Sequence, residues 1–192
     1  MSTSIIVLAS GNGSNFQAII DAIANHSLNA TIAALIVDRP CQAIERAEHH
    51  GINVVMLNRK NLPADNDKRL QHVSKAADLM VCAGYLSILP KGLIDAFTNK
   101  IINIHPSLLP KFGGKGMYGM RVHRAVIDAQ ESVSGCTVHY VDSGIDTGKI
   151  IAQSHVELST DETPASLQKK VLDKEHDLLV ATISKLIRGK NA

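Results

Sequence analysis

Short apolar runs alternate with amphipathic stretches through the first hundred residues. Ile5-Ile6-Val7-Leu8-Ala9 has no polar position and reads as a strand buried on both faces. Ser10-Gly11-Asn12-Gly13-Ser14-Asn15 follows it, and Phe16, Ile19, Ile20 and Ile23 then recur at helical spacing. The same alternation continues. Thr31–Val37 reads as a strand, Asp38-Arg39-Pro40 as a turn, Gln42–His50 as a helix closed by Gly51, and Val54–Leu57 as a third strand. A polar stretch, Asn58–Asp67, leads to a helix near Lys68–Ala76. The strand Asp78–Ala83 and the short helix Leu93–Phe97 come next, and then Ile101-Ile102-Asn103-Ile104-His105-Pro106. Strands and helices at this spacing predict a parallel sheet with right-handed crossovers.

The pattern changes after Pro110. Four glycines fall within seven residues from Gly113, and a helix is expected near Val122–Ala129. Gly135–Val141 and Gly148–Val156 read as a strand pair joined by Asp142-Ser143-Gly144-Ile145-Asp146-Thr147-Gly148. A long amphipathic helix, Thr163 to about Ile187, closes the pattern, with Thr163 as N-cap and Pro164 in its first turn. The expected architecture is α/β, one domain over 1–192. It is a Rossmann-like, mostly parallel sheet with helices on both faces, and halves meet near residue 100.

Two positions in the fifth strand carry chemistry. Asn103 and His105 are two apart, so in an extended strand they share a face. Pro106 removes a ladder donor and takes the chain out of the sheet directly after them. Open α/β sheets place ligands at the carboxyl ends of strands. A strand end with two polar side chains by chance is the plain alternative. His105 acting as an acid would need a carboxylate partner, and the 142–148 loop offers Asp142 and Asp146, although aspartates also serve such turns locally. The glycine loop after the first strand is half of a dinucleotide fingerprint, because Phe16 stands where the third glycine belongs. Close backbone approach and helix-start amides suit a phosphate monoester; a tight capped turn without ligand is the alternative. His139 and His155, in strands, read as structural groups.

Composition narrows the classes. The chain has 192 residues, 3% aromatics, no Trp and a net charge of +2. Scarce rings and no basic run argue against nucleic-acid and membrane-surface partners. Cys41, Cys82 and Cys136 are widely spaced, which predicts reduced thiols rather than disulfides or a zinc site. No H-x-H or HExxH spacing suggests a metal. No basic signal region precedes the first apolar run, so a cytoplasmic location is expected.

Ser10–Asn15, Ala83-Gly84-Tyr85-Leu86-Ser87-Ile88-Leu89, Asn103-Ile104-His105-Pro106-Ser107-Leu108-Leu109-Pro110 and Asp142–Gly148, in this order, resemble the folate-dependent formyltransferase family over almost the whole chain. The glycine loop and chain length look like the branch that formylates a phosphoribosylated glycinamide. The resemblance implies a formyltransferase fold, with an antiparallel C-terminal strand region and a long final helix. It implies formyl transfer from 10-formyltetrahydrofolate, without a metal, to the amine of N1-(5-phosphoribosyl)glycinamide in purine (IMP) biosynthesis. Asn103 would donate to the oxyanion, and a protonated His105 would stabilise the same charge and protonate the leaving folate nitrogen. Asp146 would raise the histidine's pKa and order a water; Asp142 is assigned to the fold of its loop.

By the same resemblance Gly13, Ser14, Asn15 and Glu175 would bind the phosphoribosylglycinamide. The folate pterin would lie against Leu86, Ser87, Ile88 and Leu89, with Asn103, Val141, Asp142 and Asp146 closing the pocket. The first half, 1–100, would bind phosphate, and the second, 101–192, would carry catalysis and folate. Some family members meet the folate tail with an arginine before the third helix, where this chain has Lys68 and Arg69. Gly113–Met120 reads as a variant substrate-side loop. Relatives that formylate a tRNA would carry a further C-terminal domain, and folate hydrolases an N-terminal one; neither is expected here, and the assembly is expected to be a monomer or homodimer. A binding module that grips a phosphorylated metabolite would share the glycine loop without needing Asn103, His105 and Asp146 together.

Overall fold

The structure, a computed structural model, describes residues 2–57, 68, 70, 72–75 and 77–189. The polar stretch 58–67 and Arg69 lie outside the described residues, as does part of the helix expected near 68–76. The chain divides into two compact units, Met1–Ile102 and Asn103–Ala192.

In the first unit the strands are β1 (Thr3–Ala9), β2 (Ala30–Val37), β3 (Val54–Met56) and β4 (Leu79–Cys82). They run parallel in the order β3-β2-β1-β4. Ile5 to Ala9 are wholly buried, as are Leu35, Ile36 and Val37, because strands in a parallel sheet are covered on both faces. The helices α1 (Ser14–Ala24), α2 (Gln42–His49) and α3 (Lys91–Ala96) punctuate them. Apolar Phe16, Ile19 and Ile20 give α1 its buried stripe.

The turn from β1 into α1 depends on one glycine. Gly13 has φ +78°, a left-handed conformation that glycine adopts without a side-chain clash. A methyl group there would lie 2.8 Å from Ala43 Cβ and 3.0 Å from Ala43 Cα. The amide of Ala43 also donates to the Gly11 carbonyl, so the turn is pressed onto the start of α2.

β5 (Ile101–His105) straddles the boundary between the units. The second unit continues with α4 (Met120–Asp128), β6 (Val133–Tyr140), β7 (Ile150–Glu157) and α5 (Pro164–Arg188). β5 neighbours β6, and β6 pairs antiparallel with β7, from Val133 opposite Glu157 to His139 opposite Ile150. The chain is thus α/β, mostly parallel, with an antiparallel C-terminal pair and a long final helix. Expected and observed strands agree to within about two residues at each end, the usual fraying of such boundaries.

α5 packs on β6, β7 and α4. Thr163 caps it: its hydroxyl accepts from the Ser166 amide, while Ser166 Oγ accepts from the Thr163 amide. Its buried face runs Leu167, Val171, Glu175, Leu179, Ile183 and Ile187, each four residues from the next, with Thr182 beside them. One carboxylate therefore stands in the middle of an apolar stripe. Among the described residues no helix is long and apolar enough to cross a membrane.

The contrast between two glycines checks the β1–α1 turn. Gly13→Ala forces both a positive φ and a clash with backbone, and is expected to destabilise the protein by more than about 1 kcal/mol. Gly11 meets nothing within 4 Å, so Gly11→Ala is expected to be close to neutral. Denaturant midpoints of the two variants measure the difference.

Candidate active site

Three isoleucines seal β5 into the core: Ile101, Ile102 and Ile104 are buried. Asn103 and His105 leave on the same face, as their spacing requires. His105 is 4% exposed, and each of its ring nitrogens has a distinct neighbour. Nε2 lies 2.9 Å from the Phe112 carbonyl oxygen, to which it donates. That bond fixes the tautomer, so Nδ1 is the nitrogen that gains or loses a proton. Nδ1 lies 3.6 Å from Asp146 Oδ2.

The chain from 106 to 114 is shaped to bring the Phe112 carbonyl back to His105. Ser107 Oγ donates to the Lys111 carbonyl, tightening the bend. Phe112 adopts φ +56°, a left-handed conformation uncommon for a bulky residue. Buried Thr137 on β6 anchors the same segment. Its hydroxyl donates to the Ser107 carbonyl at 2.6 Å and accepts from the Leu109 amide at 3.0 Å. Gln153 on β7 reaches both Thr137 Oγ1 and the Leu109 carbonyl.

Asp146 sits between two imidazoles. While Oδ2 faces His105, Oδ1 lies 3.7 Å from His139 Nε2. The Gly114 amide donates to Oδ2 at 3.0 Å, and Asp146 itself has φ +58°. Non-glycine residues held there cost about 1–3 kcal/mol and concentrate at functional sites. Gly113 permits this closeness, since a methyl group on it would stand 3.3 Å from Asp146 Cβ and 2.5 Å from a Leu109 methyl.

His139 links the remaining member. Its Nδ1 donates to the Tyr140 carbonyl at 2.8 Å, which leaves Nε2 as an acceptor for Asn103 Nδ2 at 3.1 Å. One amide hydrogen of Asn103 is thereby held, and the other is free to point elsewhere. His139 was read from the sequence as a structural group. The signal that would have found it is the one used for β5: Thr137 and His139 are polar, two apart, in a buried strand.

The electrostatics revise one expectation. Burial pushes the His105 pKa down; the Asp146 carboxylate and the Phe112 carbonyl pull it up, and His139 pushes it down. The balance lies below the ordinary histidine value, so His105 rests neutral at pH 7 rather than protonated. Asp146 does act in the expected upward sense, but desolvation outweighs it. His123, on α4, is buried, and burial followed by the charge of His105 lowers it to about 4.

Asp142 serves its own loop. Its Oδ1 accepts from the Gly144 amide at 3.0 Å and from Thr147 Oγ1 at 2.7 Å. Val141 is half-buried beside it. Glu175 is 7% exposed, and its charge helps to hold the Cys136 thiol up at about 12, after burial as the larger cause. It is therefore no ordinary helix-surface carboxylate. Among the described residues no group of three or more His, Cys, Asp or Glu is placed to hold a metal.

The first unit holds the other candidate residues. Ser14 and Asn15 open α1 behind Gly13, which caps it without a side-chain hydrogen bond, and no acidic residue stands in the first turn. Leu86 and Ile88 are 40% and 77% exposed, whereas Leu89 is buried. A buried carboxylate holds this segment. Asp38 Oδ2 accepts from Ser87 Oγ at 2.5 Å, and Arg39 donates to both its oxygens at 3.0 and 2.8 Å. The Leu86 amide donates to Ser10 Oγ at 2.8 Å, and the Ser10 amide to the Gly84 carbonyl at 3.0 Å. Burial alone would raise the Asp38 pKa, but hydrogen bonds from Arg39, Ser87 and Ser10 and the Arg39 charge bring it down to about 2.

A carboxylate that is more acidic folded than unfolded stabilises the protein above its unfolded pKa, 3.8 for Asp38. That contribution falls away as pH drops from about 4 toward 2. Asp38→Asn is expected to lower stability at pH 7 and to flatten the acid limb of the stability profile in that window. Urea midpoints measured from pH 7 to pH 2 check this; parallel profiles for the two proteins would remove Asp38 from the argument.

The family described as formyl transferase matches residues 3–183. The chain is 40% identical to the chloroplastic phosphoribosylglycinamide formyltransferase of Arabidopsis thaliana, over 93% of this chain and 63% of that protein. It therefore spans under two thirds of the length of that plant relative. It is 36% identical to the phosphoribosylglycinamide formyltransferase of Bacillus subtilis (strain 168), over 97% of each chain. The crystal structure of phosphoribosylglycinamide formyltransferase from Bacillus halodurans superposes with a TM-score of 0.88 at 36% identity, covering 96% of this chain and 95% of that one. On this evidence the chain belongs to the formyl transferase family.

Proposed function

We propose that this protein moves a formyl group from 10-formyltetrahydrofolate to the amine of N1-(5-phosphoribosyl)glycinamide, a step of purine synthesis. The observation that carries the reading is the buried His105–Asp146 pair beside an Asn103 amide held by His139. Similarity to relatives bearing the phosphoribosylglycinamide formyltransferase name supports the choice of substrate. The folate supplies an activated formyl carbon and a nitrogen leaving group.

In this reading the free N–H of Asn103 meets the formyl oxygen as the amine adds and charge builds there. His105 enters neutral. Nδ1 takes the proton that the attacking nitrogen sheds, and the imidazolium so formed is stabilised by Asp146 3.6 Å away. Nδ1 then returns that proton to the folate nitrogen as its bond to the formyl carbon breaks. The proton count closes: the amine loses one hydrogen and the folate nitrogen gains one. The Phe112 carbonyl keeps Nε2 protonated throughout, so a single nitrogen does both transfers.

Gly13, Ser14 and Asn15 would hold the phosphate, and Glu175 the glycinamide amine. The pterin would lie on 86–89, where exposed Leu86 and Ile88 on a backbone pinned by Ser10 and Asp38 suit an apolar ring. Val141, Asp142 and Asp146 are the proposed folate contacts of the second unit.

Mixing the protein with both substrates and following consumption of the formylated folate tests the reading; binding of both ligands without turnover would sink it. His105→Ala is expected to lower kcat by about 10²- to 10⁴-fold, the range for a lost proton-transfer group. Asp146→Asn should cost far more activity than Asp142→Asn, with the reverse order reassigning the carboxylate. The pH profile separates the roles further. Because His105 sits below its ordinary value, the acid limb of kcat/KM should fall below pH 6.5. Removing the Asp146 charge removes an upward pull, so the limb of Asp146→Asn should move to still lower pH.

A further inference from the structure

The turn proposed to hold phosphate is gripped from α2 by a single guanidinium. Arg46 Nε donates to the Asn12 carbonyl at 2.8 Å, and one terminal nitrogen donates to Asn12 Oδ1 at 2.9 Å. The other terminal nitrogen donates to Gln17 Oε1, on α1, at 3.2 Å. The Asn12 amide then donates to Gln42 Oε1, also on α2, at 2.5 Å. Arg46 Cδ lies 3.4 Å from where a methyl on Gly13 would stand, so the side chain rests against the turn itself.

Two further facts give this brace a chemical meaning. Arginine has five N–H donors, and these contacts use three. The ion pairs among the described residues leave Arg46 without a carboxylate partner. The first turn of α1 likewise holds no acidic residue. A half-buried cation with spare donors therefore stands at an uncapped helix start, next to backbone held open by Gly13. Neutral partners do not neutralise it, and a phosphate monoester with about two negative charges would.

We propose that Arg46 is the cation of the phosphate subsite. Its fork sets the Asn12–Gly13 backbone, and its charge selects a phosphorylated amine over an unphosphorylated one. This rests on the formyl-transfer reading above for the identity of the amine.

The test compares wild type, Arg46→Lys and Arg46→Met on glycinamide ribonucleotide and on the unphosphorylated glycinamide riboside. Arg46→Met is expected to raise KM for the ribonucleotide by about tenfold or more, the size of one charge-assisted contact. The loss should fall on KM rather than kcat. KM for the riboside should change little, and the wild-type advantage should shrink as salt is added. Arg46→Lys, which keeps the charge but loses the fork, should lie between the two. An unchanged KM in Arg46→Met overturns the proposal. So does an equal rise for both substrates, the signature of a loosened turn without a charge role.

Calorimetric titration with inorganic phosphate keeps the two readings apart. Tighter binding by wild type than by Arg46→Met supports the subsite even where no formyl transfer is detected, a result that would discard the activity alone. Equal phosphate binding discards the role of Arg46 whatever the activity.

Discussion

A carboxylate held between two buried imidazoles sets the terms for the second unit. Asp146 addresses His105 with one oxygen and His139 with the other, at 3.6 and 3.7 Å. Neither distance is a full hydrogen bond, and both rings sit where water is scarce. In such surroundings charges act over a longer reach than at the surface. The carboxylate therefore matters less as a bonded partner than as a fixed field. It pulls the His105 pKa up, but burial opposes it and outweighs it.

Much of the local backbone exists to hold that arrangement. Asp146 and Phe112 both accept left-handed conformations, Gly113 leaves room for the loop to touch Asp146, and the Gly114 amide binds its Oδ2. Thr137 and Gln153 staple the segment after His105 onto β6 and β7. The two left-handed positions are flanked by hydrogen bonds from Gly114 to Asp146 and from His105 to the Phe112 carbonyl. Satisfied networks of this kind rigidify a site, and a half-satisfied one would be worse than an apolar core.

The first unit follows the same logic with different groups. Asp38 directly follows β2 and gathers Ser87 and Arg39, while Ser10 joins β1 to the 84–86 backbone. One buried charge thus ties three strand ends together. Arg46 does for the glycine turn what Asp38 does for the 86–89 segment: each holds a stretch of backbone by side-chain hydrogen bonds. Burying such groups is unfavourable unless each is paired and hydrogen-bonded, and the contacts of Asp38 with Arg39 and Ser87 meet that condition. In both places a charged side chain determines where a loop backbone lies.

Periodicity and local chemistry were enough to read the elements. Ile5–Ala9 and Ile101–His105 read as strands, Thr163-Pro164 as a helix start, and the two-residue spacing of Asn103 and His105 put them on one face. These features depend on neighbours within a turn or a strand, which is the range a sequence pattern covers. Pattern alone did not separate Asp142 from Asp146, because both fit a turn; the family resemblance named Asp146, and the fold turns that carboxylate toward His105. The net pKa of His105, the recruitment of His139, the buried setting of Glu175 on an apolar helix stripe, and the grip of Arg46 on Asn12 have the same origin. Each depends on contacts between residues roughly 30 or more positions apart, or on the loss of solvent, and neither quantity exists until the chain has folded.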